Sequence, residues 1–175
     1  MNVEKIVGQL DIRPGMAVAD FGAGHGFFSI AFAKKVGSSG QVFAVDIQPA
    51  ALEAIRSQAR IEGLFNIKLV IGDLEKAGGS SLADESCDLV FLASALFQIS
   101  NKSLLINEAH RVLKKDGKLA VIEWKPYIAL GPQKELRFSE EELKRLIAAE
   151  KFGELKSIDA GSHHYGFIFL KNVNY

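Results

Sequence analysis

The 175-residue chain has one cysteine, Cys87, and so no partner for an intrachain disulfide. A lone thiol excludes a disulfide framework and, with no signal-peptide pattern at Met1-Asn2-Val3-Glu4-Lys5, points to a reducing cytoplasm. Charge of one sign is also missing, since 21 Lys and Arg balance 21 Asp and Glu. The strong basic field of a nonspecific nucleic-acid binder is therefore missing, which leaves open a local basic patch. The longest apolar stretch, Leu89 to Ile99, is interrupted by Ser94 and Gln98 and is too short to span a bilayer, so no membrane insertion is expected. Repeats and low-complexity tracts are lacking too. What remains is a globular composition, 48% apolar, sufficient for one continuous core over residues 1–175.

Against that background, one stretch stands out. Val18-Ala19-Asp20-Phe21-Gly22-Ala23-Gly24-His25-Gly26-Phe27-Phe28-Ser29 is an apolar run ending in an acid, followed by glycines at alternate positions. It reads as strand, tight loop and helix start. Glycines suit such a loop because the backbone takes positive φ and approaches a ligand closely, while the first helical turn presents unpaired N–H groups. The spacing is G-x-G-x-G, not the dinucleotide fingerprint G-x-G-x-x-G. Asp20, two residues ahead of Gly22, would repel a pyrophosphate and attract an ammonium group.

The flanking pattern places this loop in an alternating fold. Residues 2–10 suggest a short helix with Val3, Ile6, Val7 and Leu10 on one face, and Met16 to Asp20 is the first strand. A helix from Phe27 ends at Gly37-Ser38-Ser39-Gly40, and Gln41 to Asp46 is the second strand. Pro49 opens the next helix and Gly63 stops it. Asn66 to Ile71, Asp88 to Leu92 and Lys118 to Trp124 are strands three to five, with mostly loop over residues 72–85. A helix built on Leu105, Ala109 and Val112 precedes the turn at Asp116-Gly117. Residues 125–138 form a long loop, of the kind that in compact domains is usually functional. Ser139 and Glu142 make a capping box for a helix ending at Gly153, and Leu155–Asp159 and Tyr165–Lys171 form a closing hairpin. The expected fold is α/β and Rossmann-like, a seven-stranded mostly parallel sheet with helices on both faces and a C-terminal antiparallel hairpin.

In such a sheet ligands bind beyond the carboxyl ends of the strands, near the reversal of strand order. Asp20, Asp46 and Asp73 all fall there, and Asp46 lies 24 residues after Gly22, where an acid accepts from ribose hydroxyls. Acids also begin surface loops and cap helices. Three acids in register with a glycine loop favour the binding reading.

These segments, with Gly72-Asp73-Leu74, Cys87-Asp88-Leu89-Val90 and Glu108-Ala109-His110-Arg111-Val112-Leu113-Lys114-Lys115-Asp116-Gly117-Lys118-Leu119, resemble the class I S-adenosylmethionine-dependent methyltransferases over nearly the whole chain. The last segment resembles their small-molecule branch, which includes the quinone-biosynthesis C-methyltransferases. The resemblance implies S-adenosylmethionine as cofactor and a small-molecule methyl acceptor. It implies that Asp20, Phe21, Gly22, Gly24 and Gly26 hold the methionyl end, Asp46 the ribose, Asp73 and Leu74 the adenine, and Ala93 and Ser94 the methyl-donor end, with Ile47 a further cofactor contact. Departures matter as well. Ser94-Ala95-Leu96-Phe97-Gln98 lacks the Asn/Asp-Pro-Pro-Tyr/Phe of adenine amino-methylating enzymes, so DNA is not an expected partner, and Phe97 stands where relatives often carry a histidine.

Methyl transfer from a sulfonium relies on alignment, and a base is needed only when the nucleophile carries a proton. Candidates for that base are His163, His164, Glu123 and Tyr165; adjacent histidines entering a strand face opposite sides, so at most one of the pair meets the pocket. No metal is expected, because no third ligand stands at recognisable spacing. Phe97, Trp124, Lys125 and Tyr127 are candidate substrate contacts at the pocket rim, although Trp124 can equally close the sheet end. A protein or RNA acceptor, a nucleotide-dependent dehydrogenase and a noncatalytic cofactor-binding protein remain alternatives at this level.

Overall fold

In the computed structural model, which describes residues 1–172, helices and strands alternate as the pattern requires. In chain order they are α1 (Val3–Val7), β1 (Ala17–Phe21), α2 (Phe27–Val36), β2 (Gln41–Asp46), α3 (Pro49–Ile61), β3 (Ile67–Ile71), β4 (Cys87–Ala93), α4 (Lys102–Val112), β5 (Leu113–Trp124), α5 (Glu140–Ala149), β6 (Phe152–Ile158) and β7 (His164–Lys171). Short 3-10 turns occupy Leu96–Gln98 and Lys134–Leu136. β1 and β4 are almost wholly buried, as runs of Val, Ala, Leu and Phe must be when helices cover both faces of a sheet. α3 begins with Pro49 in its first turn, buries Leu52, Ile55 and Ala59, and gives way to Gly63 at φ +66°. α5 starts on the expected capping box, in which Ser139 Oγ accepts from Glu142 N–H and the Glu142 carboxylate accepts from Ser139 N–H.

The strand order is β3-β2-β1-β4-β5-β7-β6. β1 to β5 are parallel, and β7 runs antiparallel between β5 and β6. From β1 the chain steps outward to β3, then returns to β4 on the other side of β1. That reversal opens a crevice beyond the carboxyl ends of β1 and β4. One face of the sheet packs Phe21, Leu92, Leu119 and Phe167 against α4 and α5. The other packs Phe91, Ile122 and Ile168 against α1 and α2, with Phe32 edge-on to Phe91 at 5.0 Å.

Several boundaries differ from expectation, each for a packing reason. The first helix covers only Val3–Val7, and Asp11 turns the chain at φ +54° while Leu10 still reaches the core. β5 starts at Leu113, five residues earlier than its apolar run. Leu113 pairs with Cys87 and Lys118 with Leu89, so Asp116-Gly117 forms a bulge inside the strand, with Asp116 at φ +61°. The last helix stops at Ala149 and Lys151 takes the left-handed position at φ +64°. Gly153 therefore lies within β6, which begins early enough to bury the ring of Phe152. β7 begins at His164, one residue before its expected start.

Candidate functional site

The carboxyl ends of β1, β2 and β3 and the segment after β4 enclose a cavity of about 270 Å³. Gly22, Gly24, Asp46, Ile47, Asp73 and Leu74 line it, so six of the residues singled out by motif share one space. The alternate glycines have φ of +74°, +52° and +77°, the backbone that their spacing anticipates. Gly26 has a packing role as well, since a Cβ there would stand 2.4 Å from Ile55 Cγ1. Asp46 is 8% exposed; its Oδ2 accepts from Gly24 N–H at 2.8 Å and its Oδ1 from Gln48 N–H at 2.9 Å. Each oxygen keeps a further lone pair for a ligand hydroxyl.

The lining is acidic. Asp46, Asp73 and Glu75 border the cavity, and among the described lining residues there is no Lys or Arg. This acceptor-rich lining opposes a pyrophosphate and suits a cationic ligand carrying hydroxyl groups. Asp73 Oδ1 accepts from Glu75 N–H at 3.1 Å and Oδ2 pairs with Lys76 at 3.0 Å; Lys76 holds this carboxyl below the usual carboxylate range. A larger cavity of about 460 Å³ lies between α1 and α2, lined by Val7, Phe27 and Ile30 among others, with none of the motif acids.

Other motif residues stand behind the cavity. Asp20 is 3% exposed and accepts from Ser29 Oγ at 2.6 Å. Burial pushes its carboxyl up to about 7 despite that hydrogen bond. It braces the glycine loop onto the first turn of α2 and is not among the residues that line the cavity. Phe21 is fully buried in the core on the α4 face. Ala93 ends β4, and Ser94 follows with φ +53°, its N–H donating to Ile122 O at 2.8 Å and its Oγ buried without a partner.

Two of the four candidate bases, His164 and Tyr165, line a separate cavity of about 180 Å³ with Lys125, and Glu123 is the register partner of Tyr165. His163 is exposed, its Nδ1 2.8 Å from Ser162 Oγ. His164 is buried against Trp124, ring centroids 4.1 Å apart, and burial lowers it to about 4. Tyr165 donates its hydroxyl to Phe138 O at 2.9 Å, and burial raises the phenol above its ordinary value. Glu123 accepts from Leu96 N–H at 2.9 Å, and burial raises it to about 7 against the opposing pull of the N–H groups of Leu96, Trp124 and Ala95. None of the four lines the cavity that holds Asp46.

None of the candidate substrate residues lines the cavity that holds Asp46 either. Phe97 is half-buried in the 3-10 turn after β4. Trp124 lies between His164 and Gly131, where a Cβ would come within 2.6 Å of the indole, so it closes the sheet end. Lys125 Nζ reaches Gly161 O at 3.3 Å, and Tyr127 is 92% exposed. Sequence reasoning missed Gln48, Glu75, Ala95, Gln98 and Ile99, which also line the cavity. Apart from their place just after strand ends, their residue types carry no signal.

A mostly parallel seven-stranded sheet closed by an antiparallel hairpin, with an acid-lined glycine loop at its switch point, defines the class as Rossmann-like methyltransferase. Residues 12–164 match the family described as the methyltransferase domain, and the chain belongs to that family. It is 36% identical over 118 residues to the ubiquinone/menaquinone biosynthesis C-methyltransferase UbiE of Bordetella avium (strain 197N), covering 67% of this chain and 44% of that protein. To the protein of the same name from Shewanella sp. (strain W3-18-1) it is 31% identical over 154 residues, 87% of this chain and 58% of that one. The chain thus spans about half the length of these relatives. In solved structures it is similar to a SAM dependent methyltransferase from Aquifex aeolicus, with TM-score 0.88 and 26% identity over 97% of this chain and 89% of that one. The [4+2]-cyclase SpnF, with TM-score 0.82 and 17% identity over 98% of this chain and 80% of that one, shares the fold alone. No helix among the described residues is long and apolar enough to cross a membrane.

Proposed function

We propose that the chain is an S-adenosylmethionine-dependent methyltransferase that transfers a methyl group in line to a small-molecule acceptor. The observation that carries this reading is the single cavity at the switch point, where the left-handed backbone of Gly22 and Gly24 meets Asp46, Asp73 and Leu74. S-Adenosylmethionine would supply an electrophilic methyl group on a cationic sulfur. In this assignment Gly22 and Gly24 offer close backbone contacts to the methionyl end, Asp46 accepts from the ribose hydroxyls, and Ile47 and Leu74 flank the adenine beside Asp73. Asp20 and Gly26 fix the loop from behind, and Ala93 and Ser94 border the donor end. The relatives named for quinone biosynthesis support a small acceptor.

The residues around the cavity contribute by alignment, which supplies up to ~7–11 kcal/mol in well-oriented systems. That none of His163, His164, Glu123 and Tyr165 lines the cavity supports a reaction in which the acceptor needs no strong base from the protein. We read residues 1–175 as a single domain of the cytoplasm. Cys87 supports that setting, because burial raises its thiol to about 11 and makes it a packing residue.

Calorimetric titration with S-adenosylhomocysteine tests the assignment, with NADH as the competing ligand. The wild type is expected to bind the former, and Asp46→Ala to bind it about 10- to 100-fold more weakly, the size of a lost charge-assisted hydrogen bond. Binding of NADH in its place by the folded wild type would refute the proposal.

A further inference from the structure

Ser94 stands where the chain leaves β4, in a left-handed conformation at φ +53° that disfavours any residue with a Cβ. Such backbone persists only where the surroundings over-determine it. Three hydrogen bonds do so here. Ser94 N–H donates to Ile122 O at 2.8 Å, Gln98 Nε2 donates to Ser94 O at 3.0 Å, and Leu96 N–H donates to Glu123 Oε1 at 2.9 Å. The first two use a backbone carbonyl and a neutral amide. The third uses a carboxylate that is 2% exposed, and its burial costs free energy.

The turn held in this way is a wall of the cavity. Ala95, Gln98 and Ile99 line it, and a Cβ on Gly22 would lie 3.4 Å from Ala95 Cβ. Any relaxation of Ser94 therefore moves Ala95 against or away from the glycine loop. The groups facing Glu123 from neighbouring elements are few. Lys102 of α4 favours its ionised form, and Tyr165 lies directly opposite on β7 with its hydroxyl already donated to Phe138 O. The carboxylate is thus directed at backbone N–H groups.

We propose that Glu123 is a positioning residue, whose buried carboxylate holds Leu96 N–H so that Ser94 stays left-handed and Ala95 stays packed on the glycine loop. The inference rests on the proposed function, since it explains how one wall of the cofactor cavity is kept in place.

The test measures S-adenosylhomocysteine affinity by calorimetry for the full chain carrying Glu123→Gln, Ser94→Gly or both. Glu123→Gln is expected to weaken binding about tenfold, as loss of a charge-assisted hydrogen bond implies. In the Ser94→Gly background Glu123→Gln should cost about half as much on a logarithmic scale as in the wild-type background, because glycine takes this backbone without strain and recovers the rest. The wild-type affinity should also rise with pH through about 7, and Glu123→Gln should show less of that rise, the remainder belonging to Asp20 behind the glycine loop. Were Glu123→Gln not to fold, Ser94→Val against Ser94→Gly carries the test: valine resists the left-handed region and should bind about tenfold more weakly than glycine at the same position. Wild-type affinity in Glu123→Gln, an equal cost of Glu123→Gln in both backgrounds, or equal affinities for Val and Gly at 94 would each overturn the inference with the cofactor assignment intact. No binding by the folded wild type would overturn both.

Discussion

Around the glycine loop the shape of the site resides in the backbone: Gly22, Gly24 and Gly26 are left-handed, and Asp46 is tied to the N–H groups of Gly24 and Gln48. Beyond β4 and β5 the chain is held by side chains instead. Glu123 reaches Leu96 N–H, Tyr165 reaches Phe138 O, and the Arg137 guanidinium gathers the carbonyls of Ile128, Leu130 and Pro132 at 2.8, 3.0 and 2.8 Å, with Lys125 and Pro126 at 3.4 Å. Backbone geometry of the first kind is set by neighbours in sequence and leaves a spacing motif. Clamps of the second kind join a side chain to backbone groups at no fixed spacing, from Pro132 five residues before Arg137 to Leu96 twenty-seven before Glu123, and their residue types are common on any surface.

Both regions nevertheless hide an acid, and pH should expose the pair. Burial raises Asp20 from 3.8 to about 7 and Glu123 from 4.5 to about 7. A raised folded value favours the protonated form in the native state, so its stabilisation is complete below the unfolded value and is lost as pH rises through about 7. Each acid should then remove about 3–4 kcal/mol of stability between pH ~4 and ~8. Denaturant unfolding across that range measures the loss; Asp20→Asn should flatten the glycine-loop share and Glu123→Gln the other. A wild-type stability that climbs over this window would contradict the burial of both groups.

Gly26→Ala probes the backbone side of the comparison alone. Its Cβ would meet Ile55 at 2.4 Å from a residue at φ +77°, and about 3 kcal/mol of destabilisation is expected from the clash and strain together. A melting temperature within a degree or so of wild type would show that α3 can yield. Arg137→Ala probes the side-chain region. Loss of its carbonyl contacts should cost about 1–2 kcal/mol and speed proteolysis within residues 125–138, with little change in S-adenosylhomocysteine affinity. If affinity fell as much as stability, the two regions would be coupled more tightly than their contacts indicate. The smallest effect is expected for His163→Ala, which should stay within about 0.5 kcal/mol of wild type because the ring is exposed.

Element order was readable because the apolar period switches cleanly between strand and helix, and because Pro49, Gly63 and the Ser139–Glu142 box mark local stops and starts. Misplaced boundaries trace to contacts made across the sheet. β5 extends to Leu113 because Cys87 pairs there, although Lys114-Lys115-Asp116-Gly117 has no strand character. His164 reads as a polar hairpin residue, yet pairing with Trp124 draws it into β7 and buries it. The candidate bases were chosen by residue type and proximity to strand ends, and residue type does not say which face of a strand a side chain takes.

By itself the sequence determined the alternating fold, the glycine loop and the acids after the first three strands, because each depends on residues within a few positions of one another and on backbone that only glycine adopts freely. Only the tertiary structure decided that Asp20 braces the loop from behind, that Glu123 clamps the turn after β4, and that Trp124 closes the sheet. Those roles depend on which side chains meet across strands, and burial sets the charge they carry there.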